Sequence, residues 1–153
     1  SAVKIAGPGE YEVKGVAVTG VMTYHDKQKG VERGKNTVYN LEIEGVNIVH
    51  LGDLGQILEE DQLEEIGSVD VLMIPVGGVY TIDAKDAARV VAQLDPKIVI
   101  PMHYKLDDLK VDLEPLDNFL KEMSVENVAP LPKLSITKDK LPEEMQVIVL
   151  SKS

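Results

Sequence analysis

Two continuous apolar runs, Val69-Asp-Val-Leu-Met-Ile-Pro75 and Lys97-Ile-Val-Ile100, bracket a segment whose Ala84, Ala87, Ala88, Val91 and Leu94 fall along one side of a helix. Runs without polar alternation read as strands covered on both faces. With the helical segment between them they form a strand–helix–strand unit, and the handedness rule makes that unit a right-handed crossover in a parallel or mixed sheet. Asp83, with Asp86 three residues on, caps the helix, and Asp95-Pro96 stops it. The chain is therefore of the α/β class.

The first half reads differently. The Gly7-Pro-Gly9 turn follows the short apolar run Val3–Ala6, an alternating pattern begins at Tyr11, and Val16–Tyr24, Thr37–Ile43 and Val46–His50 read as further strands, so the opening is a β meander. Glu44-Gly45 is a hairpin turn between the last two. Leu58, Leu63 and Ile66 mark a surface helix that Gly67 caps, a last helix is expected near Leu113–Met123, and Leu134–Thr137 and Met145–Leu150 are strand-like. With no fixed-period repeat, low-complexity run or linker, the expectation is one domain over residues 1–153.

Each of the three histidines closes a strand-forming run: His25 follows Val16–Tyr24, His50 follows Val46–Val49, and His103 follows Ile98–Met102. The carboxyl ends of strands are where α/β proteins most often place their chemistry. Two of the histidines have a carboxylate nearby, in His25-Asp26 and His50-Leu-Gly-Asp53, and imidazole with carboxylate suits a divalent ion. Taken alone, a histidine at a strand end is either a ligand or a hydrogen-bonded structural group, and Asp53 between glycines is either a ligand or a turn residue bonding its own backbone.

Composition removes several alternatives. The chain has 16 basic and 26 acidic residues, a formal net charge of −10, which repels polyphosphate backbones and anionic lipid surfaces, so neither nucleic acid nor a membrane is the expected partner. It has no cysteine, so a metal would be held by His, Asp and Glu, and the fold needs no oxidising compartment. No apolar run is long enough to span a bilayer, and a cytoplasmic protein is the default expectation. Ser1 at the head of the chain reads either as initiator removal or as the loss of an upstream segment.

Six stretches carry a resemblance to a known family. They are Gly7-Pro-Gly-Glu-Tyr-Glu-Val13, Tyr24-His-Asp26, Gly34-Lys-Asn-Thr37, His50-Leu-Gly-Asp-Leu-Gly55, Ile74-Pro-Val-Gly-Gly-Val-Tyr-Thr-Ile-Asp83 and Ile98-Val-Ile-Pro-Met-His-Tyr104. In that order they resemble the metallo-β-lactamase superfamily, in its branch of small zinc-dependent hydrolases that includes ascorbate-6-phosphate lactonase-like proteins. The resemblance implies an αββα sandwich with mixed sheets, incomplete at its amino-terminal side. It also implies that His25, Asp53 and His103 are metal ligands, with Asp53 bridging two zinc ions and fixing the attacking water. The family's His-x-His-x-Asp-His signature has no counterpart here, so each ion would find two ligands and the isolated chain is expected to hold zinc weakly or not at all and to be inactive.

Around these three, Asp26 is expected to orient His25 or to be a solvated turn residue, and His50 to support the site, serve structure or touch substrate. Tyr80 and Tyr104 could reach a ligand, and Gly77-Gly78 permits tight turns near the site mouth. The implied reaction is hydrolysis of an ester, lactone, amide or phosphodiester of a small molecule. The alternative is a non-catalytic remnant that binds a partner or another copy of itself, because a sandwich short of its first strands uncovers sheet edge and apolar face. A homo-oligomer, or a separate amino-terminal segment that completes the site, is the expected partner.

Overall fold

The computed structural model describes residues 2–152. Seven strands form one mixed sheet in sequential order: β1 (Gly9–Val13), β2 (Val16–Tyr24), β3 (Lys35–Ile43), β4 (Val46–His50), β5 (Val71–Pro75), β6 (Ile98–Met102) and β7 (Gln146–Val147). Helices α1 (Glu60–Ile66), α2 (Ala84–Leu94) and α3 (Leu116–Glu122) complete the fold. Strands β1 to β4 are antiparallel neighbours, and β4 to β7 run parallel. The expected meander and the expected crossover are thus halves of a single sheet. No helix among the described residues is long and apolar enough to cross a membrane.

Local chemistry explains the elements. The two tight hairpin turns are Lys14-Gly15 and Glu44-Gly45, and all four residues have positive φ, the backbone that matches the right-handed twist of the flanking strands. At α1, Gln62 Oε1 accepts the Glu59 N–H at 2.9 Å, and the Gly67 N–H closes the other end on Leu63 O at 3.1 Å. At α2, Asp83 accepts the Asp86 N–H at 2.8 Å, and Asp95 turns left-handed before Pro96.

The main core lies between the helices and one sheet face. It contains Val38, Val49, Leu72, Ile74 and Val99 from the strands, Ala87, Val90 and Val91 from α2, and Phe119 from α3. The other face carries Val46, Val71, Ile98 and Ile100, against which Leu134, Ile136, Leu141, Ile148 and Leu150 pack.

The structure departs from expectation mainly near the carboxyl terminus. Residues 134–137 form no strand, and the run at 145–150 contributes only the two-residue β7 and an isolated bridge between Leu131 and Leu150. Leu134 and Ile136 instead pack against the second sheet face without joining the ladder. The last helix begins at Leu116 because Pro115 occupies its N-cap.

Strand direction positions the site. Because β2 and β4 both run antiparallel to β3, and β5 and β6 run parallel to β4, the carboxyl ends of β2, β4, β5 and β6 all lie at one edge of the sheet.

Candidate metal centre

Strands β2 and β6 are four positions apart, about 19 Å at ordinary strand spacing. The segments that follow the strands close this gap. After β4 the chain folds back over the end of β3, and the Gly55 N–H donates to Tyr24 O at 2.9 Å. A Cβ on Gly55 would stand 2.2 Å from the carbonyl carbon and oxygen of His25, so only glycine permits this approach. On the other side the Val76 N–H donates to Met102 O at 3.0 Å, and a Cβ on Gly77 would lie 1.9 Å from His103 O. Two glycines therefore draw the histidine-bearing segments toward the turn after β4.

That turn presents Asp53. His50 Nδ1 accepts the Gly52 N–H at 3.0 Å. Asn36, from β3, accepts the Asp53 N–H on Oδ1 at 3.0 Å and donates from Nδ2 to Leu51 O at 2.9 Å and to Thr23 Oγ1 at 3.0 Å. The backbone of the turn is thus satisfied by neighbouring side chains. The Asp53 carboxylate itself accepts no hydrogen bond among the described residues, which excludes the turn aspartate that bonds its own backbone.

The carboxylate instead lies between two imidazoles. Asp53 Oδ2 is 3.5 Å from His25 Nε2, and Oδ1 is 3.5 Å from His103 Nδ1. Two groups bound to one tetrahedral ion through bonds of about 2.1 Å stand about 3.4 Å apart, so each His–Asp pair has the spacing of ligands sharing an ion. Among the described residues no three such side chains close around a single point. The donor set fits a divalent ion pairwise, one carboxylate oxygen with each imidazole. His25 Nδ1 is buried with no hydrogen-bond partner among the described residues, and a ring that serves packing alone seldom keeps such an atom. His103 adopts a left-handed φ of 52° where the chain turns out of β6.

The surrounding residues divide by their contacts. Asp26 does not orient His25. Its buried carboxylate accepts the N–H groups of Gln28, Gly30, Glu32 and Arg33 at 2.7 to 3.0 Å, holding its own loop. An aspartate after a histidine can turn either way, and here four aligned amides are the stronger partner. Burial would raise its pKa, yet the four amides hold it below the ordinary carboxylate value. His50 is partly buried, and burial, with repulsion from His103, lowers its pKa against the opposing pull of Asp53. Tyr104 packs partly buried against the core rather than over the site. Tyr80 does face the site: with Thr81, Leu109, Val111 and Leu113 it lines the cavity that contains His25, Asp53 and His103. Asn36 stands in one of the matched stretches, Gly34-Lys-Asn-Thr37, but its role depends on contacts with distant residues.

Comparison with known proteins places these features in a family. The profile of the beta-lactamase superfamily domain matches residues 2–103. A UPF0173 metal-dependent hydrolase of Thermococcus onnurineus is 37% identical over 98 residues, 63% of this chain and 44% of the relative. One from Carboxydothermus hydrogenoformans is 42% identical over 64 residues, 42% of this chain and 28% of the relative. The chain thus spans less than half the length of these curated relatives. A Thermotoga maritima crystal structure, designated a Zn-dependent hydrolase of the metallo-beta-lactamase superfamily, superposes with a TM-score of 0.82 at 44% identity, covering 95% of this chain and 70% of that one. Igni18, a metallo hydrolase of Ignicoccus hospitalis, is similar in fold, with a TM-score of 0.58 at 24% identity over 80% of this chain and 53% of that one.

Proposed function

The chain belongs to the beta-lactamase superfamily, and from that membership we propose that it forms part of a metal-dependent hydrolase whose centre is built around Asp53. One observation carries the reading: the Asp53 carboxylate offers one oxygen to each of two imidazoles at the same 3.5 Å. A carboxylate so placed suits a bridge between two ions, His25 serving one and His103 the other. Zinc is the ion we assign, because the donors are imidazole and carboxylate and the T. maritima relative is designated zinc-dependent.

Two divalent ions bound here would lower the pKa of a coordinated water and polarise the carbonyl or phosphoryl oxygen of a substrate. The chain's own residues do the rest. Asn36 and His50 fix the turn that aims Asp53, while Tyr80 and the apolar side chains beyond it hold a substrate over the carboxylate. The reaction is hydrolysis: the oxygen of water joins the carbonyl carbon or phosphorus, the bond to the leaving group breaks, and the leaving group takes a proton. This chain offers two ligands per ion, and water or further protein groups would fill the remaining positions.

Zinc titration of the full chain tests the reading. Measurable if weak uptake is expected, reduced in His25→Ala and in His103→Ala and abolished in Asp53→Ala. Uptake by Asp53→Ala equal to that of the unaltered protein, or no uptake by either at millimolar zinc, overturns it.

A second reading, a non-catalytic module that pairs with another copy of itself, is favoured by one observation. An apolar groove lined by Ile43, Ile48, Met73, Leu134, Ile136 and Leu150 lies open on the sheet face away from the helices. A concentration-independent monomer in sedimentation would exclude it.

A further inference from the structure

We propose that the cavity beside Asp53 takes an amphiphilic anion, a ligand whose apolar chain lies on Leu109, Val111 and Leu113 and whose carboxylate or phosphate is held by Arg33. The inference rests on the preceding reading only for where the scissile bond lies.

Tyr80, Leu109 and Val111 are among the most exposed large apolar side chains of the molecule, at 50%, 38% and 42%, and all three line the cavity over Asp53. Apolar surface left to water around a few convergent polar groups marks a ligand pocket rather than a solvated face. An adjoining cavity is lined by His25, Tyr80 and Thr81 as well as by Arg33, so the two spaces share three walls.

Arg33 supplies the charge. Its guanidinium lies 5.4 Å from the centre of the Tyr80 ring, and among the described residues it makes no ion pair and no side-chain hydrogen bond, although the chain holds 26 acidic residues. Two carboxylates border the same cavity. That of Asp26 is committed to four backbone N–H groups, and that of Glu32 is not paired with Arg33. Lys27, also at this cavity, is paired with Asp86 at 2.7 Å. Arg33 is therefore the cation left with its donors free, and its planar fork matches a carboxylate or phosphate.

The backbone that carries the guanidinium is held before any ligand arrives. The Arg33 N–H donates to Asp26 Oδ2 at 2.7 Å, so its backbone is pinned, and the ring of Tyr80 supports its head. Ordering costs that a flexible loop would meet on binding are already met in folding.

The test uses the full chain stripped of metal, titrated by calorimetry with hexyl phosphate, hexanoate, inorganic phosphate and hexanol. Hexyl phosphate or hexanoate is expected to bind more tightly than either half-ligand, and a preference between the two names the anion. Arg33→Met should weaken the preferred anion by about tenfold or more while leaving hexanol unchanged, with Arg33→Lys intermediate. Leu109→Ser with Val111→Ser should weaken the alkyl ligands and not inorganic phosphate. Equal binding by Arg33→Met and the unaltered protein, or no preference for an alkyl anion over inorganic phosphate, overturns the proposal. Zinc uptake by Arg33→Met stays at the unaltered level in either case, so failure here is distinct from failure of the metal centre.

Discussion

Asn36 holds Asp53 from behind: its Oδ1 accepts the Asp53 N–H at 3.0 Å, while its Nδ2 secures Leu51 O at 2.9 Å. One side chain on β3 thus braces both sides of a turn that follows β4.

Replacing Asn36 with Ala leaves these backbone groups without partners. A loss of about 1–3 kcal/mol in unfolding free energy is expected, with zinc affinity falling by roughly 10- to 100-fold because the carboxylate is no longer aimed. Denaturant unfolding and competitive zinc titration measure the two effects separately. Unchanged affinity in a destabilised variant would show that Asn36 serves the fold alone.

Gly77 is set by contact with His103. A methyl group 1.9 Å from His103 O cannot be accommodated without moving one of the two segments. Gly77→Ala is expected to cost about 1–3 kcal/mol and to weaken zinc uptake by displacing His103. Retained affinity at reduced stability would mean that the strain relaxes away from the histidine.

Asp26 predicts an acid-sensitive loop. Its pKa is depressed in the folded protein despite burial, so its contribution is present above the unfolded value of about 3.9 and is lost as pH falls through the lower folded value. Hydrogen exchange should show protection of the Gly30 and Arg33 amides that collapses in this acidic window while the β3 amides stay protected. In Asp26→Ala that protection should be absent even at neutral pH.

His50 acts at a higher pH. Its pKa is lowered by burial and by His103, so the unfolded chain takes up the proton first, and stability falls as pH drops below the unfolded value of about 6.5. The full penalty is reached below the folded value. Protonation would also remove the acceptor that Gly52 uses. His50→Asn, which keeps an acceptor but does not titrate, should flatten the dependence of unfolding free energy on pH between 7 and 5.

Much of this architecture was legible because its signals are local. The Val, Ile and Thr runs ending at Tyr24 and His50 mark the limits of β2 and β4, and Asp83 and Asp95 bound α2. Periodicity does not show that His25, Asp53 and His103 meet. It took the motif resemblance to suggest it, since the meeting depends on two glycine contacts between chain-distant segments. Asp26 was ambiguous because the same dipeptide serves a ligand shell or a loop. Residues 134–137 have the alternation of a strand but use it to cover the second sheet face.

The convergence of strand ends at one edge has a consequence for how the protein is made. Asp53 can meet His25 as soon as the meander closes, but its second neighbour lies fifty residues later, beyond the whole crossover. Loop closure over that distance is slow compared with hairpin formation. On the ribosome the Asp53 carboxylate therefore has its His25 side in place while β5, α2 and β6 are still being synthesised, and its other side stays open until His103 emerges.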